Sequence, residues 1–212
     1  MANLGSNPLI CMPIDASNPT KNYGSGGDFT LNGGGLLGAR GASEYISRGV
    51  YFGTSTSNHL SLAISTEIAR TLSFMVNFSI KTDEAAERLI INNTSGTGWD
   101  ISINSADKLY IRLQDTSGNI MLREYTESYT MGVGAYSLFL SSNIDTGDNF
   151  LYVYKNGVMN DLSSNLTVSD DTFNFYIPNV QIGVNAKQTH VSPFYFTTDY
   201  IDFSSEANRN LF

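Results

Sequence analysis

The sequence is poor in cysteine, which limits how the fold can be held together. Its 212 residues include a single cysteine, Cys11, so an internal disulfide is excluded and no Cys/His quartet is available for structural zinc. Cys11 is therefore expected to be a small buried hydrophobic residue. The fold must rest on packing, and a hydrophobic content of 41% with 15% charged residues suffices for a full core.

Positive charge and long apolar runs are also scarce. Twelve Lys and Arg against 20 Asp and Glu give a formal net charge of −8. This balance argues against a nucleic-acid partner, because a phosphate backbone requires clustered cations. No apolar run reaches membrane-spanning length, and residues 1–18 lack the basic and apolar regions of a signal peptide. We therefore expect no membrane partner and synthesis in a cytoplasm.

Recognisable catalytic and cofactor motifs are missing as well. Residues 22–43 hold eight of the 19 glycines, but no Gly-Lys-Ser/Thr ending or strand–helix context suggests a phosphate loop. A bent early strand with turns is the better interpretation. His59 and His190 are far apart and neither has a patterned nucleophile nearby. The sequence thus predicts no catalytic residues, no cofactor and no enzymatic activity.

What the sequence does contain is alternation of apolar and polar residues at period two, the pattern of half-buried β-strands. In residues 71–80 the odd positions are Thr71, Ser73, Met75, Asn77 and Ser79, and the even positions are all Leu, Phe, Val or Ile. Similar strands are predicted in residues 59–64, 99–104, 108–114, 135–142 and 175–184. Asp115 to Gly118 supplies turn residues for a hairpin into residues 119–125.

The segment FLYVYKNGVMNDL, residues 150–162, is a second hairpin signal. Asn156-Gly157 tolerates positive φ at both positions, as a two-residue type I′ turn requires. Residues 150–154 are apolar on both faces, since three aromatics alternate with Leu151 and Val153. These residues are therefore predicted to form a central strand buried between layers.

Helix is scarce, and the strands point to a sandwich. Residues 82–89 could form a turn or two of helix, and residues 204–212 could form another with Ser204 as its cap. We predict an all-β, antiparallel two-sheet jelly-roll sandwich with little helix. Residues 1–212 are expected to form one domain, with 1–45 as an N-terminal strand and Gly-rich loop segment and 196–212 as a C-terminal extension.

The order of five segments resembles a laminin-G-like, or concanavalin A-like, jelly-roll domain. These segments are residues 49–63, 70–83, 89–119, 134–159 and 179–186. The hairpin Tyr154-Lys155-Asn156-Gly157 resembles the Tyr-x-Asn-Gly turn of that superfamily. Residues 7–35 and 193–212 resemble stretches that flank such domains in bacteriophage virion proteins. One departure is Tyr136, which stands where many relatives carry Trp followed by His.

The resemblance implies a non-enzymatic virion structural protein, a surface-exposed jelly roll that acts as capsid decoration, cement or tail-appendage component. Its partners would be major capsid or tail subunits and further copies of itself, and it would be located in the virion. Glycoside hydrolases of the superfamily carry a Glu-x-Asp-x-x-Glu row, which this chain lacks. The alternative is a lectin-like adhesion module that recognises a cell-surface glycan.

A glycan site needs an exposed aromatic ring with polar neighbours. Trp99 shares a face with Ile101 and Ile103, which favours the core, whereas Tyr110 lies on the polar face with Arg112. Tyr200 is a further aromatic candidate. The residues predicted to make surface contacts are Tyr110, Arg112, Tyr125, Tyr129 and Tyr195.

The turn at residues 143–150 is the one weak candidate for a metal. Asp145, Asp148 and Asn149 offer hard oxygen donors around a glycine, as Ca²⁺ prefers. Because the spacing is not that of an EF-hand and the same residues suit any hairpin connection, we assign no metal here.

Overall fold

The computed structural model of the chain describes residues 8–12, 18, 20–33, 50–51, 59–80, 88–92, 99–117, 120–165, 174–183 and 189–212. These residues contain fourteen strands, a short helix and a 3-10 turn at Ser163–Asn165. The strands are β1 (Ile10–Met12), β2 (Thr30–Asn32), β3 (Val50–Tyr51), β4 (His59–Ala69), β5 (Thr71–Ile80), β6 (Arg88–Asn92), β7 (Trp99–Ile103), β8 (Lys108–Gln114), β9 (Ile120–Thr130), β10 (Gly134–Asn143), β11 (Asp148–Lys155), β12 (Val158–Asp161), β13 (Phe175–Ile182) and β14 (Thr189–Thr197).

The strands form two antiparallel sheets of seven strands each. The first sheet has the order β1-β14-β5-β10-β11-β12, and β3 also pairs with β14. The second sheet has the order β2-β4-β13-β6-β7-β8-β9. Every pair is antiparallel, which confirms the predicted all-β sandwich.

The main core lies between the two sheets and is filled by the inward positions of their strands. Trp99 is 1% exposed and makes an edge contact with Phe74 of the opposite sheet at 5.8 Å between ring centroids. It also packs against Phe196, at 5.1 Å. The core assignment of Trp99 is therefore confirmed, and its ring is not available to a ligand.

A second hydrophobic cluster covers the outer face of the first sheet. Residues 198–212, which we term the C-terminal segment, cross this face and contribute Ile201 and Phe203. The backbone N–H of Ile201 donates to Ser73 Oγ at 2.7 Å. The alternation predicted that β5 is buried on one face only. Met75 is 2% exposed, so β5 is in fact buried on both faces. The prediction failed because the C-terminal segment covers the polar positions of β5, which the sequence pattern assigned to a solvent-exposed face.

Arg209 fastens the C-terminal segment to the sheet. Its side chain is buried, and its Nε donates to Tyr154 Oη at 2.9 Å. Its Nη1 donates to the carbonyl oxygens of Phe203 and Ser204. The guanidinium also lies 4.6 Å from the centroid of the Tyr152 ring, a cation–π contact. The aromatic residues of β11 therefore belong to this second cluster.

The turn at Asn156-Gly157 has the predicted conformation. The φ angles are 50° at Asn156 and 82° at Gly157, and Lys155 pairs directly with Val158. The predicted burial of residues 150–154 between layers is confirmed, because Leu151 and Val153 lie in the main core and the aromatics lie in the second cluster under the C-terminal segment. The strand β11 is paired on both sides, although it lies next to β12, the last strand of the first sheet, and not at the centre.

The helical predictions need two corrections. The helix α1 spans Glu206–Arg209, and its N-cap is Ser205 rather than Ser204. Ser204 instead donates its backbone N–H to Asp202 Oδ1 at 2.9 Å. The predicted helix at residues 82–89 falls outside the described residues up to residue 87, and Arg88 begins a strand.

The predicted C-terminal extension of residues 196–212 starts too early. Phe196 and Thr197 pair with β5 as part of β14, so the segment that leaves the sheet begins at residue 198. None of the helical segments in the described part of the chain has the length and hydropathy needed to cross a bilayer.

Candidate binding face of the second sheet

The C-terminal segment covers the aromatic outer face of the first sheet, so we looked for exposed strand aromatics on the second sheet. Tyr195, predicted to make surface contacts, lies on the outer face of the first sheet and is 3% exposed. Its ring packs against Phe212 of the C-terminal segment at 4.9 Å. Burial raises the pKa of Tyr195 to about 12. Tyr195 is therefore a residue of the second cluster, and the prediction of a surface contact is wrong for it.

Tyr110 and Arg112 lie together on the outer face of the second sheet. Both are half-buried, whereas Leu109, Ile111 and Leu113 of the same strand are buried in the main core. The alternation in β8 therefore places them as the sequence predicted. Side chains two residues apart on a strand are separated by about 7 Å, so one ligand ring can touch both.

The neighbouring strands complete this outer face. Tyr110 pairs with Ser102 of β7 on one side and with Tyr125 of β9 on the other. Arg112 pairs with Asp100 of β7. We call Asp100, Ser102, Tyr110, Arg112 and Gln114 the β7–β8 face. The register thus brings the predicted residues Tyr110, Arg112 and Tyr125 to neighbouring positions.

Tyr129 does not share that position. It precedes Thr130, which pairs with Lys108 at the start of β8. The register between β8 and β9 shifts between Lys108 and Tyr110, so Tyr129 lies away from the Tyr110–Tyr125 pair along β9. It remains a predicted contact residue for which the strand position alone is described.

The charges on the β7–β8 face balance each other. Arg112 Nη2 lies 3.7 Å from Asp100 Oδ2, and the two side chains are 27% and 12% exposed. An ion pair of this length is loose, and the guanidinium retains donor capacity. The face therefore offers both donors and acceptors with little net charge.

Several buried polar atoms on this face have no hydrogen-bond partner among the residues that the structure describes. They are Ser102 Oγ, Arg112 Nε and Gln114 Oε1. A buried polar group left unpaired costs about 1–3 kcal/mol, and native proteins contain few of them. Asp100, Ser102 and Gln114 are all buried, so the accessible part of the face is Tyr110 with Arg112.

The β7 residues of this face were not among the contact residues predicted from the sequence. Asp100 and Ser102 alternate with Trp99, Ile101 and Ile103, so their polar side was visible in the pattern. What the pattern could not show was the pairing of β7 with β8, which puts Asp100 opposite Arg112. The register is the property that turns separate polar residues into one face.

The turn between β10 and β11 uses its oxygen atoms internally. Asp145 is paired with Arg70, and Asp148 Oδ2 accepts a hydrogen bond from Thr146 Oγ1 at 2.6 Å. Asn149 donates to the Gly147 carbonyl oxygen at 3.0 Å. Within the described ranges no group of three His, Cys, Asp or Glu side chains could hold a metal ion. The weak Ca²⁺ candidate of the sequence is thus organised as a hydrogen-bonded turn.

The two histidines and the cysteine are dispersed. His59 is in β4 of the second sheet, with Nε2 3.3 Å from Gln181 Nε2, whereas His190 is in β14 of the first sheet. Cys11 is partly buried against the second cluster, and this burial raises the pKa of its thiol. These positions add no nucleophile–base pair to the β7–β8 face.

Comparison with known proteins gives similarity at the level of structure only. No protein-family model matches the sequence, and no curated protein does. Solved structures of botulinum neurotoxin binding domains do match. The binding domain of neurotoxin DC in complex with SialylT has 12% identity and a TM-score of 0.63, and the match covers 97% of this chain and 50% of that one.

Two further neurotoxins give the same picture. Type C, whose cell entry depends on interaction with two ganglioside molecules, has 12% identity and a TM-score of 0.63 over 100% of this chain and 51% of that one. The serotype D binding domain has 14% identity and the same TM-score over 97% and 51%. The likeness is one of fold. This chain spans about half the length of those structures.

Proposed function

We propose that the protein is a non-enzymatic binding module that recognises a glycan through the β7–β8 face. The observation that carries this proposal is the placement of half-exposed Tyr110 beside the Arg112–Asp100 pair on the outer face of the second sheet. The first sheet has no comparable surface in the part of the chain that the structure describes, because its aromatic outer face lies under the C-terminal segment.

The chemistry of the face suits a sugar. A tyrosine ring offers an apolar surface to the C–H face of a pyranose, and its hydroxyl group can form a hydrogen bond. Each sugar hydroxyl both donates and accepts, so it needs donors and acceptors side by side. Arg112, with its side chain 27% exposed, supplies donors, and a tyrosine hydroxyl such as that of Tyr110 can donate or accept. Ligand sites typically combine an aromatic wall with a small number of precisely placed polar groups.

The fold neighbours support a binding role over a catalytic one. The neurotoxin DC and serotype D structures are binding domains, cell entry of type C depends on interaction with two ganglioside molecules, and the DC binding domain also forms a complex with rat synaptotagmin II. Since identity is 11–14%, these partners are a guide to the class of ligand and not to its structure. A glycan partner, and secondarily a protein receptor, follows for this chain as a proposal.

A glycan array with the purified protein tests the proposal. We expect Tyr110→Ala to weaken binding of the best glycan about tenfold or more, which corresponds to about 1.4 kcal/mol. Tyr176→Ala is the matched control, because Tyr176 is also half-buried, on β13 of the same sheet and opposite in direction to core residues Phe175 and Ile177. β13 lies three strands from β8, about 14 Å away.

The array can refute the proposal in two ways. If the wild-type protein binds no glycan, the module has another ligand class. If the alanine substitutions at Tyr110 and Tyr176 weaken binding equally, the β7–β8 face is not the site.

A virion structural role is the second candidate, and we propose it on a different observation. Val158 is 67% exposed and Met159 45% exposed on β12, the last strand of the first sheet, which suits a protein contact. The partners would be capsid or tail subunits or further copies of the chain. Mass spectrometry of purified particles tests this role, which fails if the protein is absent or present in trace copies.

A further inference from the structure

The loop at residues 20–28, between β1 and β2, is held in place by one buried side chain. Asn22 is 4% exposed, and its Oδ1 accepts hydrogen bonds from Cys11 N at 2.8 Å and Gly24 N at 2.9 Å. Its Nδ2 donates to the carbonyl oxygens of Leu9 at 3.0 Å and Gly27 at 2.8 Å. The amide therefore ties the loop both to β1 and to itself.

The loop backbone adds further bonds to the chain around β1. The N–H groups of Tyr23, Ser25 and Gly26 donate to the carbonyl oxygens of Cys11, Pro8 and Leu9 at 2.9, 2.8 and 3.0 Å. Packing is tight enough that a Cβ at Gly24 would lie 2.6 Å from the Leu9 carbonyl oxygen. A backbone fixed in this way has lost its conformational freedom before any ligand arrives.

This fixed loop presents a tyrosine to solvent. Tyr23 is 62% exposed. Lys21 Nζ lies 5.8 Å from the centroid of the Tyr23 ring and 3.2 Å from Asp28 Oδ1. The backbone N–H of Asn22 also donates to Asp28 Oδ1, at 3.0 Å, and with Lys21 it lowers the pKa of Asp28. An exposed ring thus stands beside an ammonium and a carboxylate on a rigid support.

These neighbours limit the charge of a ligand. A cation would have to displace Lys21, which already occupies the cation position near the ring. An anion would meet the Asp28 carboxylate beside the ammonium. A neutral ring with several hydroxyl groups avoids both conflicts, because its C–H face can lie on Tyr23 and its hydroxyls can bond to the ammonium and the carboxylate.

We propose that Tyr23, Lys21 and Asp28 form a second carbohydrate-contact site that takes a neutral pyranose ring. The proposal rests on the proposed glycan-binding function and adds a separate position to it. The loop leads directly into β2, which lies five strands from β8 in the second sheet, about 24 Å away. Two sites at this separation can engage two residues of one glycan chain or two chains on one surface, which raises avidity.

Tyrosine-labelled protein observed by NMR tests the second site. The probes are cellotriose, maltotriose and N-acetyllactosamine as neutral sugars and 3′-sialyllactose as an anionic one. The ring signal of Tyr23 is assigned by its disappearance in Tyr23→Phe. We expect this signal to shift with at least one neutral probe, and Tyr23→Ala to weaken that probe's binding at this site at least fivefold.

Two further variants separate a contact from a general effect. Lys21→Met removes the ammonium from a partly exposed position, and we expect it to weaken binding of the neutral probe. Val133→Ala truncates an exposed hydrophobic residue just before β10 of the other sheet and should leave binding unchanged.

The outcomes that overturn the second site differ from those that overturn glycan binding itself. If a probe binds in a Tyr110-dependent manner and the Tyr23 signal does not move, the second site is wrong and the proposed function stands. If the Tyr23 signal shifts only with 3′-sialyllactose, the neutral ligand class is wrong. If no probe binds but the array yields a glycan whose binding depends on Tyr110, only the second site is wrong; if the array is silent as well, both proposals fail together.

Discussion

Replacing Asn22 with alanine should cost far more stability than its position in a loop suggests. The substitution removes four hydrogen bonds of 2.8–3.0 Å made by one buried amide. A typical intramolecular hydrogen bond contributes about 0.5–1.5 kcal/mol net, and the freed backbone groups are partly accessible to water. We therefore expect the free energy of unfolding to fall by about 3 kcal/mol, or by roughly 6–12 °C in Tm for a domain of this size.

Equilibrium denaturation in urea measures this loss, with Trp99 fluorescence as the probe. Trp99 is the single tryptophan and is 1% exposed between the sheets, so its emission reports unfolding of the main core. Asn18→Ala is the matched control, because Asn18 precedes the same loop but is exposed. If the two variants differ by less than about 0.5 kcal/mol in free energy of unfolding, the Asn22 amide does not fix the loop and Tyr23 does not stand on a rigid support.

Three further perturbations test separate parts of the structure. Gly157→Ala should lose about 1 kcal/mol of stability because φ is 82° there, whereas Gly132→Ala, where an added Cβ meets its nearest neighbour at 3.9 Å, should be nearly neutral; thermal denaturation compares them. Tyr195→Phe should leave stability nearly unchanged at pH 7, because the Tyr195 hydroxyl has no hydrogen-bond partner among the described residues. The variant should lose less stability than the wild-type protein at alkaline pH. Since burial raises the folded pKa of Tyr195 to about 12, the wild-type protein keeps its full free energy of unfolding below pH 10, the usual tyrosine value, and loses part of it as pH rises towards 12. Because the pKa of Asp28 is lowered in the folded protein, its ionised carboxylate stabilises the fold above the usual aspartate pKa, and this stability is lost as pH falls through the folded pKa. Stability measured against acid pH should therefore lack this loss in Asp28→Asn.

The strands were predictable because alternation is a local property. Residues 71–80, 99–103 and 108–114 each alternate along their length, and each is a strand of the sandwich. The turn at Asn156-Gly157 was equally local, since positive φ at both residues selects this dipeptide.

The layer over the first sheet could not be predicted in the same way. Ser73 and Met75 on β5 signal a solvent face, yet both are buried because residues 198–212 return to cover them. Such a contact joins residues more than 120 positions apart, as in the 2.7 Å bond between Ile201 N and Ser73 Oγ. Nothing local in β5 specifies that partner.

The candidate site shows the same division. Tyr110 and Arg112 could be predicted because they alternate with core residues of β8. Tyr195 was wrongly predicted to be a surface residue because the C-terminal segment covers the outer face of the first sheet. The pairing of Arg112 with Asp100 depends on strand register, which the sequence does not state. Tyr23 lacks any periodic signal, and its exposure follows from a loop that Asn22 organises through long-range bonds.

The most direct test of glycan recognition by the second sheet is to map a bound glycan onto the tyrosine rings by NMR. The ligand is the strongest binder from the glycan array, titrated into tyrosine-labelled protein. If the second sheet binds the glycan, the Tyr110 signal shifts and the signals of Tyr152, Tyr154 and Tyr195, which lie under the C-terminal segment, do not. Shifts confined to those three covered residues, with Tyr110 unmoved, would rule out glycan recognition by the second sheet.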